Sequence, residues 1–246
     1  AAVHVITTRA PDLLLVHFVA ADTYGHKFGP DSAEMRWALQ ATDRFIAAVL
    51  LAYGDRDPNV VIVSDHGFAP VRWRVDPHRV LVEAGIAAGM HRLDEAPVRA
   101  IANGYSLFLY GSGAPMDAAV TAFRARKLVE RELDASALKT LGLGGPHAPD
   151  RVLISPLPYY FKEKTTNGKV LEDLTHAGMH GHLPDAPGNQ ATVICSGPAF
   201  QRGAQLNGAR LIDVAPTIAE VMGFVIRKPA GRVLSGALLV SAGKAR

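Results

Sequence analysis

The chain predicts an α/β fold with a mostly parallel central sheet, helices on both of its faces and a small inserted cap. Three observations lead there. Leu13–Val19 and Val60–Val63 are continuous apolar runs rather than alternating ones, as strands buried on both faces require. A long stripe of apolar positions separates them, spaced by three and four residues. A third run of the same kind, Ala191–Cys195, returns late in the chain after a Gly- and Pro-punctuated middle.

The first run lies between Pro11-Asp12 and Ala20-Ala21-Asp22, and it makes His17 a hydrogen-bonded core histidine. After Gly29-Pro30 a helix is expected, with Asp31 as N-cap and Glu34 three residues on. Met35, Ala38, Leu39, Phe45, Ile46, Val49, Leu50 and Tyr53 give it one apolar face, and Gly54 ends it. Strand, helix and strand in that order form a right-handed βαβ unit. From about 73 to 158 the pattern is less regular and reads as an insertion. It holds a short helix from Pro77, a strand at 106–110, a helix over 117–133 and a strand at 151–154. Gly/Pro clusters at 111–115 and 144–149 interrupt it. Near the end, Asp213 is placed to cap a helix through Ile218, Val221 and Met222, stopped by Gly223.

With 246 residues, 48% of them hydrophobic and 20% charged, the chain can bury one sizeable core. Twenty-six basic and twenty-three acidic residues leave a net charge of +3, too small for a nucleic-acid scaffold. The basic residues near the end, Arg227, Lys228, Arg232, Lys244 and Arg246, read as solvated surface, as do His4, His78, His91 and His147. The single cysteine, Cys195, sits in an apolar run and reads as a buried strand residue. Its lack of an internal disulfide partner leaves the compartment open between cytoplasm and periplasm. No apolar stretch reaches the ~20 residues of a membrane span. The opening, without Met and close to a strand signal, reads as that of a fragment or processed product.

Three segments carry chemistry. In Asp22-Thr23-Tyr24-Gly25-His26-Lys27-Phe28-Gly29-Pro30, read as a loop after the first strand, a carboxylate and an imidazole stand close enough to face one cation. Ser64-Asp65-His66-Gly67 follows Val60–Val63 directly, at the carboxyl end of a strand, where open α/β sheets place their ligands. In Gly178-Met179-His180-Gly181-His182, glycines on both sides of His180 permit close approach to a metal. Taken singly, each has an ordinary reading as a turn or an exposed loop. Together they supply two Asp and three His, more than one tetrahedral ion takes and enough to suggest two sites. His182 is a candidate for facing substrate, and His176 for a place behind the ligands.

The pattern Asp22-x-x-Gly25-His26-x-x-Gly29-Pro30, then Ser64-Asp65-His66-Gly67, then Gly178-x-His180-Gly181 resembles the alkaline phosphatase superfamily. Within it, the type I phosphodiesterase/nucleotide pyrophosphatase family is the nearest match. Asp213-Val214-Ala215-Pro216-Thr217-Ile218 is similar to the helix start that follows the last metal histidine there. The resemblance spans about 11–224 and implies one alkaline-phosphatase-like catalytic domain over 1–246, present in part, with 73–158 as its insertion.

By the same resemblance, Asp22, His26 and His180 hold one metal ion, and Asp65 and His66 the other. Both are divalent, with zinc expected and manganese the alternative. The family's nucleophile and an early Asp lie upstream of the first motif, where only 1–12 stand here. Thr7-Thr8 is too close to the expected strand to substitute. The resemblance therefore leaves the nucleophile outside this chain. The implied reaction is hydrolysis of phosphodiester or pyrophosphate bonds through two zinc ions and a covalent phospho-enzyme. The alternatives are hydrolysis of phosphomonoesters, phosphonates or sulfate esters, and a metal-binding remnant without catalysis.

Overall fold

The computed structural model describes residues 1–87, 96–164 and 167–239. His91, Lys244 and Arg246, assigned to the surface above, lie outside these, as does the side chain of His176. Along the chain run α1 (Ala2–Arg9), α2 (Ala20–Phe28), α3 (Ala33–Leu51), β1 (Val60–Val63), β2 (Ala69–Val75), α4 (Pro77–Glu83), β3 (Val98–Asn103) and β4 (Ser106–Gly111). Then follow α5 (Gly113–Ala125), β5 (Arg131–Asp134), α6 (Ala135–Thr140), β6 (Arg151–Ile154), β7 (Tyr159–Phe161), β8 (Leu171–Met179), β9 (Val193–Ser196) and α7 (Val214–Met222). No described helix is long and apolar enough to cross a membrane. The chain divides into two compact units, one comprising Ala1–Phe18, Gln40–Gly67 and Ala191–Arg246, the other Val19–Leu39 and Phe68–Gln190.

In the first unit β1 pairs with β9 antiparallel, Val60 opposite Ser196 and Val63 opposite Val193. Ser64 and Thr192 extend the pair. The Ser64 N–H donates to the Thr192 carbonyl at 3.0 Å, and the Thr192 N–H donates to Ser64 Oγ at 2.9 Å. This ties down the segment leading into Asp65-His66. Phe200, Leu234 and Ala237 form the core here, with Val61, Cys195, Val221 and Leu238 against it. The expected strand over Leu13–Val19 is not formed. Leu15 is 81% exposed, and His17 is exposed rather than buried. An apolar run records a preference for burial, but not which strand supplies its hydrogen bonds.

A buried carboxylate organises the end of this unit. Asp213, fully buried, accepts from the N–H groups of Arg210 and Arg232, both at 2.9 Å, and from the Arg210 guanidinium at 3.3 Å. A Cβ at Gly231 would overlap the Ile212 carbonyl oxygen, so only glycine lets Arg232 come this close. Thr217 Oγ1 donates to the Asp213 carbonyl at 2.7 Å and accepts from the Leu234 N–H at 2.9 Å. The N–H of Arg232 above all, then the groups of Arg210, holds the Asp213 carboxyl below its usual range against the opposite pull of burial. A folded-state pKa depressed in this way adds stability above the unfolded value of about 3.9, lost as pH falls through the folded value. Asp213→Asn should therefore melt several degrees below the parent at pH 7, and the gap should narrow below about pH 4. Melting curves from pH 7 to 2.5 check this; a gap independent of pH would refute it.

The second unit holds two sheets, β7-β2-β8 and β3-β4-β6-β5. The pair β2–β7 is parallel, while β2–β8 and every pair of the four-stranded sheet are antiparallel. The α/β class holds, but the mostly parallel pairing expected from the apolar runs does not among the described residues. For β3 and β4 the connection length is the reason. Two residues, Gly104 (φ +64°) and Tyr105, join β3 to β4, and so short a link permits only antiparallel strands.

Met116, Ala119, Val120 and Phe123 of α5 cover Leu107, Leu109 and Leu153, joined by Val80 and Leu81 of α4. α5 stops at Ala125, short of the expected 133. Leu128 N–H returns to the Phe123 carbonyl, Lys127 adopts φ +56°, and the chain leaves as β5. α4 begins at Pro77 as expected, its N-cap Asp76 accepting from the N–H groups of His78 and Arg79. His78, assigned to the surface from sequence, is 3% exposed.

Candidate metal centre

The first motif is helical. α2 spans Ala20–Phe28 and carries Asp22 and His26 one turn apart, so both project from one face. His26 Nε2 stands 3.5 Å from Asp22 Oδ1. Its other ring nitrogen lies 3.2 Å from the Gly178 carbonyl. A carbonyl only accepts, so Nδ1–H donates to it, and Nε2 is the ring nitrogen left facing Asp22.

The third motif enters through β8, whose last residue Met179 pairs with Ala69 of β2. His180 follows, its Nε2 3.8 Å from the same Asp22 Oδ1 and its ring centroid 4.9 Å from that of His26. Helix and strand come this close because two glycines face each other. A Cβ on Gly178 would overlap the Gly25 carbonyl oxygen, and one on Gly25 would lie 3.0 Å from the Phe68 ring. Three sequence-predicted residues, Asp22, His26 and His180, are thus gathered in the second unit. Their side chains are 31–49% exposed, open enough to receive an ion.

Asp65 and His66 stand in the first unit, just after β1. The Asp65 side chain is 87% exposed, with Oδ1 3.5 Å from His66 Nε2 and accepting from the His66 N–H at 3.1 Å. His66 repeats the arrangement of His26. Its Nδ1 lies 3.0 Å from the Gly67 carbonyl and donates to it, which leaves Nε2 facing Asp65.

His182 is placed differently. Its side chain is 11% exposed, its Nδ1 accepts from the Leu183 N–H at 3.0 Å, and its Nε2 faces Glu130 at 3.7 Å. Its ring lies 5.0 Å from that of Tyr105, whose phenol burial pushes above the usual range. Thr7 and Thr8 belong to α1, and both hydroxyls donate back to carbonyls of that helix.

The donor set suits a divalent ion: one carboxylate oxygen and two imidazole nitrogens, the His26 ring being held by the Gly178 carbonyl. In a tetrahedral zinc site with bonds of about 2.0 Å, ligand atoms stand about 3.3 Å apart. The 3.5 and 3.8 Å separations of the two imidazoles from Asp22 Oδ1 lie close to that value. Phe68 was not singled out in the sequence, yet its ring lies 5.0 Å from His26 and 5.4 Å from His180. Its position directly after Ser64-Asp65-His66-Gly67 was the available signal.

A sequence profile of the type I phosphodiesterase / nucleotide pyrophosphatase family matches residues 1–183. The chain belongs to this family. Its relatives include an uncharacterized pyrophosphatase/phosphodiesterase of Schizosaccharomyces pombe, 38% identical over 64 residues, which are 24% of this chain and 13% of that one. Mouse ectonucleotide pyrophosphatase/phosphodiesterase family member 1 is 24% identical over 236 residues, 87% of this chain and 24% of its own length. Among solved structures, murine ectonucleotide pyrophosphatase/phosphodiesterase 5 matches with a TM-score of 0.75 at 15% identity, covering 97% of this chain and 62% of that chain. Phosphonoacetate hydrolase of Sinorhizobium meliloti 1021 matches with a TM-score of 0.55 at 19% identity, over 78% of this chain and 48% of its own. The family's fold is thus the alkaline-phosphatase-like α/β class expected from the motifs. The chain spans less than two thirds of the length of these relatives.

Proposed function

We propose that the chain carries the metal-binding part of a hydrolase acting on phosphodiester or pyrophosphate bonds. The observation behind this reading is that α2 and β8 turn His26 Nε2 and His180 Nε2 onto one carboxylate oxygen of Asp22, in a member of the type I phosphodiesterase family. Asp22, His26 and His180 would hold one divalent ion, and Asp65 and His66 would contribute to the second. Zinc suits the mixture of imidazole and carboxylate donors, with manganese as the alternative. Such ions, when bound, lower the pKa of an attacking hydroxyl or water and neutralise phosphoryl oxygens.

The chain's own residues orient the ligands. The Gly178 and Gly67 carbonyls fix the tautomers of His26 and His66, and the Gly25–Gly178 approach sets the spacing between helix and strand. The nucleophile that would form the phospho-enzyme is not assigned to a residue of this chain. His182 enters the proposal as a residue beside the substrate, with no part in metal binding. The domain is read as one catalytic domain over 1–246, with 73–158 as its insertion. A nucleotide-like substrate accords with the AMP complex formed by an inactive variant of the murine neighbour.

The likeness to phosphonoacetate hydrolase favours a second reading, cleavage of a phosphonate bond. Metal loading, desalting and elemental analysis test the site, and rates on bis-p-nitrophenyl phosphate, p-nitrophenyl phosphate and phosphonoacetate, measured on a protein extended upstream, test the chemistry. We expect at least about one zinc per chain and a preference for the diester. A folded chain that retains no metal would refute the hydrolase reading, and preference for phosphonoacetate would replace it with the second.

A further inference from the structure

Phe68 ends the link into β2, and the register that sets Ala69 against Met179 brings it beside His180. Its ring meets both candidate ligand histidines near perpendicular, at 82° to His26 and 80° to His180. Glycines form the slot that receives it. Ideal Cβ positions on Gly25 and Gly178 would lie 3.0 and 3.2 Å from its ring atoms, and one on Gly188 would lie 2.9 Å from its carbonyl oxygen. Packed edge-on against both rings, the Phe68 ring restricts the rotation of the two imidazoles about χ2.

We propose that Phe68 is a positioning residue that holds the His26 and His180 rings with both Nε2 atoms toward Asp22. The proposal rests on the metal-site reading above, so its test has one arm that needs no metal. In the metal-free protein, imidazole carbon and proton shifts of His26 and His180 should move in Phe68→Ala and Phe68→Leu, through loss of the ring current, while those of exposed His4 stay fixed. In the loaded protein, chelator competition should give a zinc affinity about 10- to 100-fold weaker for Phe68→Ala, the scale set by outer-shell partners. The bulkier Phe68→Leu should recover part of that loss. Visible spectra of the cobalt-loaded forms should shift in the same order.

Unchanged imidazole shifts, or a Phe68→Ala protein with parent zinc affinity and cobalt spectrum, would overturn the proposal. Where Phe68→Ala does not fold, Phe68→Leu alone decides by the same two readouts. A parent chain that binds no zinc would overturn the metal reading and the ligand-orienting role with it, a result the metal-free spectra keep separate from failure of the packing argument.

Discussion

Replacing His180 by Ala should remove the zinc retained at the Asp22 centre, and Asp22→Ala should do the same. Both losses follow from how few donors converge there. Asp22 Oδ1 is the atom that both imidazoles face, at 3.5 and 3.8 Å, so deleting it removes the centre of the arrangement. Deleting His180 leaves a carboxylate and an imidazole on a single helical turn, two ligands where a stable tetrahedral site takes three or four. Residues that only touch a ligand cost about 10- to 100-fold in affinity, and a lost ligand should cost more. Any hydrolytic activity should disappear with the metal. His182→Ala is the control. Its Nδ1 is engaged by the Leu183 N–H and its Nε2 faces Glu130, so bound zinc should be unchanged. Zinc retained at the parent level in both His180→Ala and Asp22→Ala would remove these residues from the ligand set.

Gly178→Ala should be nearly as damaging, although it removes no donor. The added methyl group would overlap the Gly25 carbonyl oxygen and press the Phe68 ring at 3.2 Å. The first obstacle is main chain, so no side-chain rotation relieves it. α2 must move away from β8, and Asp22 and His26 must leave His180 as it does. The strain corresponds to the upper end of overpacking, about 3 kcal/mol. For a chain of this size that is a fall in Tm of about 6–12 °C. Zinc affinity should fall with it, and adding zinc should restore little of the lost Tm. A variant with parent Tm and parent zinc affinity would mean that the close approach of helix and strand is not needed.

What the sequence made legible here follows from range. Gly223 closing α7 and Pro77 opening α4 are decisions made within a few residues, and they were readable. α3 was readable as a helix, but Ser32 rather than Asp31 caps it, and it stops at Leu51, short of Gly54. The three motifs were readable too, because each packs its chemistry into nine residues or fewer. Strand direction was not readable, since Val60–Val63 contains nothing that distinguishes the antiparallel partner it has, Val193–Ser196, from a parallel one. β2 and β8 were missed because Arg72, Arg74, Glu172 and Asp173 break their apolar pattern. Those charges are paired across the strands, Arg72 with Asp173 at 2.8 Å and Arg74 with Glu172 at 3.0 Å. The helical state of the first motif was hidden by Gly25, which reads as a bend. In the structure that glycine is there for the contact with Gly178, made 153 positions later.

The two carbonyl groups that take the Nδ1 protons of His26 and His66 carry a chemical consequence of their own. A carboxylate behind an imidazole would pull its proton and enrich the ring with electron density; a neutral amide oxygen does so far less. As ligands, imidazoles held in this way would donate more weakly, so a cation on either one would keep more of its positive charge and grip anionic oxygens harder. Since both acceptors belong to the main chain, no exchange of one side chain for another would retune that donation. It would drift only if the path of the backbone itself were redrawn.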